Sequence, residues 1–241
     1  MNTNGSTGVK RGYRDPVVLG VDACRAGWVG VLLDDSSRER VTVAATFAEL
    51  LTDASGDGLD VVAVDIPIGL PDTTRRQADV LARAELGPRR SSVFMTPTRA
   101  ALHEPTHAKA NAVNRIRAGE GISTQAFHLR PKLKEVEAVA FTRAYRIVEV
   151  HPEVSFARLA GEPLAWSKKT PAGMRLRRAL LRTAGIILTR PDRVGRGVGT
   201  DDVLHAAAAA WSARRVSDGT AIPLPNPPEI FSDGWPAAIW V

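Results

Sequence analysis

The sequence predicts an α/β fold, a mixed sheet flanked by helices. Three observations lead there: an opening run of three apolar, β-rich segments separated by short turns, a later alternation of apolar runs with helical segments, and apolar runs that stop at a carboxylate. With 241 residues, 44% hydrophobic and 24% charged, the chain has the balance of an ordinary globular protein. At this length folding hides roughly 70–75% of the surface that the unfolded chain exposes, so one sizeable core needs no disulfide or structural metal.

Residues 1–14 read as a disordered leader. Val17 to Asp22 is an apolar run ended by an acid, the mark of a buried strand; Ala23 to Gly27 has turn composition, and Trp28 to Leu33 resumes the run. Val41 to Phe47 is a third β-rich stretch, so the three form a meander, followed by a short helix over Ala48 to Ala54. Leu59 to Asp65 is another apolar strand closed by a carboxylate, after which the prolines and glycine of Ile66-Pro67-Ile68-Gly69-Leu70-Pro71 force a loop. Thr73 or Thr74 caps a helix to about Leu86, which Gly87 and Pro88 stop. Residues 88–130 lack a strong period but are too long for a structureless loop, so they are expected to form a basic helical insertion, with one helix near Thr106 to Ala118.

Pro131 suits the first turn of a helix covering Lys132 to Arg143, and Tyr145 to Val150 is a fifth strand with Glu149 near its end. Helices follow over Val154 to Ala160 and Ala172 to Ala184, then a Gly-rich loop from Val194 to Gly199. Thr200 caps a last helix from Asp201 to about Val216, with Val203, Ala206, Ala207 and Ala210 on one face. The tail reads as a Pro-rich loop and an edge strand, Ala237 to Val241. No internal repeat or heptad array is present.

The single cysteine, Cys24, excludes an internal disulfide and a multi-cysteine zinc site, and reads as a small packed residue rather than a nucleophile. With no apolar run near 18 residues and no signal-peptide core, the expectation is a cytoplasmic protein without a membrane partner; homodimer formation stays open. The net charge of +6 comes from 32 Lys+Arg against 26 Asp+Glu, and only Lys10, Lys109, Lys132, Lys134, Lys168 and Lys169 are lysines. Such an excess suits nucleic acid, although a GC-rich genome supplies the same arginines without any polyanionic partner.

Asp22, Asp65 and Glu149 each stand at or near the end of an apolar strand, and Asp201 and Asp202 open a helix. In α/β sheets that edge is where ligands bind. Like charges about 5 Å apart repel by about 3 kcal/mol at an effective dielectric near 20, so a fold that gathers them needs a divalent cation or a shared proton. Each residue also has a plainer explanation: Asp22 and Asp65 suit turn starts, and Asp201 and Asp202 suit the positive end of a helix. Glu149, inside an apolar strand, is harder to explain that way. Lys168-Lys169-Thr170 lacks the glycines of a phosphate loop, though a basic loop touching phosphate remains open, and His151 reads as a hydrogen-bonded neighbour of Glu149 rather than a zinc ligand.

Taken in order, several blocks resemble the domain of unknown function family 429, predicted nucleases with an RNase H-like fold. They are Gly20-Val21-Asp22-Ala23-Cys24-Arg25-Ala26-Gly27-Trp28, Asp65 to Pro71, Ala82 to Phe94, Gly121 to Gln125, Glu149 to Phe156, Ser167 to Thr170, and Asp201-Asp202-Val203-Leu204-His205-Ala206. The resemblance implies that residues 15–241 form one RNase H-like domain, three antiparallel strands then parallel ones, with the helical insertion at about 88–130. It implies a metal-dependent nuclease cleaving DNA or RNA through a two-metal carboxylate site with Mg²⁺ or Mn²⁺. Asp22, Asp65, Glu149 and Asp202 would be the catalytic and metal-binding acids. His205 joins them as a metal ligand, at a position where the family pattern often carries an acid. Arg25, Arg89, Arg90, Lys168 and Lys169 would meet the substrate's phosphates. The same fold also hosts catalytically silent nucleic-acid-binding modules and small-molecule phosphotransferases or phosphohydrolases, the latter disfavoured by the lack of a Gly-rich adenine-binding loop.

Overall fold

A computed structural model describes residues 16–34, 39–55, 58–140 and 146–241; the expected leader lies outside them. The apolar runs become β1 (Val18–Cys24) and β2 (Gly27–Leu33), antiparallel in full register, with β3 (Arg40–Ala44) antiparallel to β2. Phe47 opens helix α1 (Phe47–Ser55) instead of closing the third strand, because its ring is buried against Trp28, 5.0 Å between centroids. β4 (Val61–Val64) then pairs parallel with β1.

Between β4 and the next strand come α2 (Gln77–Leu86), a 3₁₀ turn (Gly87–Ser92), α3 (Arg99–Leu102), α4 (His107–Ala118), α5 (Thr124–His128) and α6 (Arg130–Ala140). The expected insertion is thus helical, with a small core of its own around Ala101, Ala110, Ile122, Ala126 and Phe127. Thr106 and Ser123 cap α4 and α5 through their hydroxyls, and Gly119 ends α4 in the left-handed conformation. After β5 (Arg146–Glu149), parallel to β4, follow α7 (Pro152–Ala160), α8 (Pro171–Thr183), α9 (Thr200–Ser217), β6 (Pro223–Ile230) and β7 (Pro236–Trp240).

The sheet order is β3-β2-β1-β4-β5-β7-β6, the expected antiparallel-then-parallel arrangement extended by two strands. The Pro-rich tail, expected as a loop, is β6, paired antiparallel with β7, and β7 lies inside the sheet rather than at its edge. Prolines are tolerated in β6 because it pairs on one side only. Among the described residues no helix is long and apolar enough to cross a membrane.

Alternation divides the strands between two cores. Val18, Val61, Ala63 and Val148 face α7, α8 and α9, whereas Leu19, Val21, Val62 and Val64 face Phe47 and Leu50 of α1 and Leu133 and Val136 of α6. The register sets Val21, Val64 and Glu149 side by side, so Asp22 and Asp65 fall one residue further, on the α9 face, and Glu149 on the other.

α9 approaches β1 so closely that no side chain fits between them. A Cβ on Gly20 would lie 1.9 Å from Ala210 N and 2.1 Å from Ala206 O. Gly20→Ala is therefore expected to lower stability by about 3 kcal/mol or more, at or beyond the upper end of ordinary overpacking, measured by urea denaturation.

Candidate metal centre

Asp22 lies near the end of β1 and Asp65 directly after β4, where its backbone N–H donates to Val21 O at 3.1 Å. His205 comes down from α9, its Nδ1 3.3 Å from Asp22 Oδ2. Asp22, Asp65 and His205 each present one ligand atom, and these atoms lie within 4.8 Å of one another. Asp202 lines the same cleft one turn earlier on α9, where its Oδ2 also accepts from Gly199 N at 2.8 Å and caps the helix. Burial pushes the Asp202 carboxyl above its ordinary range, and it does the same to Asp65, helped there by the negative charge of Asp22 and opposed by His151.

His205 is 4% exposed and sits between two carboxylates. Its Nε2 is 3.5 Å from Glu153 Oε1, an ion-pair distance, but makes no aligned hydrogen bond among the described residues. Burial alone would lower the imidazole pKa; Asp22 and Glu153 outweigh it and raise the value to about 9. Burial would likewise raise Glu153, but His205 and the buried Arg177 bring it down to about 2. Arg177 donates from Nε and Nη2 to Glu153 at 3.0 and 2.6 Å. The result is a buried line of alternating charge, Arg177, Glu153, His205 and Asp22.

Glu149 is not brought to this cluster. Across the sheet it accepts from Arg76 Nη1 and Nη2 at 2.7 and 2.6 Å and from Ile68 N at 2.7 Å. Arg76 is shared with Asp79, which in turn accepts from Thr96 N at 2.7 Å. One guanidinium between two buried acids cannot fully compensate both, and burial pushes Glu149 up to about 7 against the pull of Arg76. The group holds the loop that follows Asp65: Arg76 Nη1 also donates to Ile68 O at 3.0 Å, and Leu70 N donates to Asp233 Oδ2 at 2.9 Å. Gly69 completes the clamp with φ +78°, where a Cβ would stand 2.6 Å from Ala237 Cβ.

The cleft over the acids measures about 200 Å³. Of the five basic candidates only Lys168 lines it. Arg89 instead donates to Leu164 O at 3.1 Å and to Ala165 O, which steadies the loop that carries Lys168, while Arg25, Arg90 and Lys169 are exposed. Thr170 accepts from Gly173 N at 3.0 Å, so Lys168-Lys169-Thr170 is the capped entry to α8. The Cys24 thiol is half-buried and pushed up by burial, as a packed residue would be. His151 lines the cleft with its Nε2 3.3 Å from Ser92 O.

Sequence reasoning missed Glu153, Arg177, Arg76 and Asp79. Glu153 follows a proline at the start of α7, where an acid reads as helix-start chemistry, and Arg177 is one of several arginines on α8. No local spacing marks either as buried.

Sheet order and site together define an α/β protein with a mixed sheet and a carboxylate–histidine cluster at the ends of its central strands. The chain belongs to the family described as Protein of unknown function (DUF429), whose model matches residues 20–230. A comparison with curated proteins finds no match. Among solved structures the Thermus thermophilus RuvC structure is similar, at 15% identity over 85% of this chain and 97% of that one, with a TM-score of 0.38.

Two outcomes follow for the metal-free protein. The raised pKa of His205 gives stability that is full below about 6.5 and lost as pH rises through about 9; the lowered pKa of Glu153 gives stability that is full above about 4.5 and lost as pH falls through about 2. Urea titrations should show the alkaline loss, on the order of 3 kcal/mol, and His205→Gln should flatten it. Arg76→Met leaves Glu149 and Asp79 buried without their cation and should cost about 3–5 kcal/mol in the same assay.

Proposed function

We propose that the protein is a metal-dependent nuclease that hydrolyses phosphodiester bonds of DNA or RNA with Mg²⁺ or Mn²⁺. The observation that carries this reading is the convergence of Asp22, Asp65 and His205 within 4.8 Å at the C-terminal ends of adjacent parallel strands.

These residues fit a divalent cation. Two carboxylates supply hard oxygen donors and the buried His205 ring supplies a nitrogen, all within 4.8 Å of one another. An imidazole in the set favours Mn²⁺ over Mg²⁺. Asp22, Asp65 and His205 would hold the ion, and a two-metal arrangement would also draw on Asp202. The ion supplies charge neutralisation and polarises a phosphoryl oxygen. Lys168 meets the phosphate charge from across the cleft, Glu153 orients His205, and Glu149 with Arg76 fixes the loop behind Asp65. Arg25, Arg90 and Lys169 lie on the surface, where they can reach neighbouring phosphates, and Arg89 acts through the Lys168 loop.

The test is incubation of pure protein with labelled single-stranded, duplex and branched DNA and RNA in Mg²⁺ or Mn²⁺. Cleavage should stop in EDTA and fall by about 100-fold or more in Asp22→Asn and Asp65→Asn, at least the loss usual for groups that merely support metal ligands. Cleavage that continues in EDTA, or that Asp22→Asn leaves unchanged, overturns the reading.

A further inference from the structure

We infer that the cleft takes one nucleotide unit at a time, the free end of a strand or a mononucleotide, and does not accept the interior of a strand or duplex. The strand-end form rests on the nuclease reading above; the nucleotide site itself does not.

The acids do not lie on an open groove. The insertion covers them: Ser92 and Phe94, at and after the 3₁₀ turn, and Gln125 and Leu129, in and after α5, line the same cleft as Asp22 and Asp65. Its volume of about 200 Å³ is below the roughly 300–1,000 Å³ usual for small-ligand clefts, so it has room for a phosphoryl group with part of a sugar or base. Specific recognition of a duplex instead covers about 1,000–2,500 Å² of protein surface.

Charge points the same way. A protein that tracks a phosphate backbone needs a row of cations. Among the described residues Lys168 is the only lysine or arginine lining the cleft, against Asp22, Asp65, Glu153 and Asp202. Several arginines around the insertion are committed within the protein, and the exposed Arg90, Arg115 and Arg117 do not line the cleft. Arg83 donates to Val93 O at 2.8 Å, Arg99 pairs with Asp233 and Glu137, Arg130 donates to Glu104 O, and Arg75 pairs with Glu120 at 2.8 Å. What the lining does offer suits one nucleotide. Phe94 provides an aromatic ring for a base, the Gln125 amide both donates and accepts toward a base edge, and Lys168 meets one phosphate.

The experiment gives the full chain, with Mn²⁺, a linear single strand labelled at either end and a covalently closed single-stranded circle of the same sequence. In parallel, a nucleoside monophosphate is titrated into the same protein by calorimetry. The expected result is stepwise shortening of the linear strand with the circle intact. The mononucleotide should bind saturably, about 5- to 150-fold more weakly in Phe94→Ala, the worth of one base–aromatic stack. Leu129→Trp, which fills the cleft, should abolish nucleotide binding while Mn²⁺ binding is kept, and it serves if Phe94→Ala does not fold. Cutting of the circle as fast as the linear strand overturns the inference. If nothing is cut but the nucleotide binds and Leu129→Trp abolishes binding, the nuclease reading fails and the nucleotide site stands. If nothing is cut and no nucleotide binds, or Leu129→Trp binds it unchanged, the site is overturned as well.

Discussion

The contact between α9 and β1 at Gly20 is the constraint on which the rest depends. Ala206 and Ala210 bring their backbones onto that glycine, so the helix lies against the strand with no side chain between them. Asp22 is two residues beyond Gly20 and therefore on the same face, and His205 and Asp202 precede Ala206 on the helix. A bulkier residue at position 20 would lift the helix and carry His205 away from Asp22. The run of small residues on α9, Ala206 to Ala210, is thus the geometric condition for the site and not only an apolar face.

Electrostatics on the two faces of the sheet follow one scheme. On the α9 face, buried Arg177 fixes Glu153, which with Asp22 holds His205; on the other, buried Arg76 fixes Glu149 and Asp79 and through them the loop behind Asp65. Buried ion pairs add little net stability over apolar packing, because desolvation offsets the Coulomb gain. Their contribution here is positional: each guanidinium makes several hydrogen bonds in one plane, leaving the acids few alternative orientations. The cluster is consequently braced from both sides of the sheet by residues that do not line up in sequence.

Much of this was legible in the chain. Apolar runs ended by acids mark β1 and β4, and the acid and histidine one turn apart on the last helix mark the other half of the site. Glu149 shows where such reading stops. It ends an apolar run as Asp65 does, yet its face depends on where β5 enters the ladder, and a one-residue offset turns a side chain to the other side of the sheet. β6 was hidden for a related reason, since a proline-rich segment becomes a strand only when a partner such as β7 supplies pairing along one side. The arginine surplus alone fits nucleic acid or a GC-rich genome equally, whereas several of these side chains bind carbonyls and carboxylates within the fold, information that depends on tertiary contacts.

β6 has a further consequence at the outer border of the sheet. Four of its eight residues are proline, none of which carries an N–H to offer outward. A strand from another molecule would find too few donors there to continue the ladder, so this border resists the edge-to-edge stacking that leads to aggregation. Any pairing of two copies of the chain must therefore be built from side-chain surfaces or from the β3 side, not by growth of the sheet past β6.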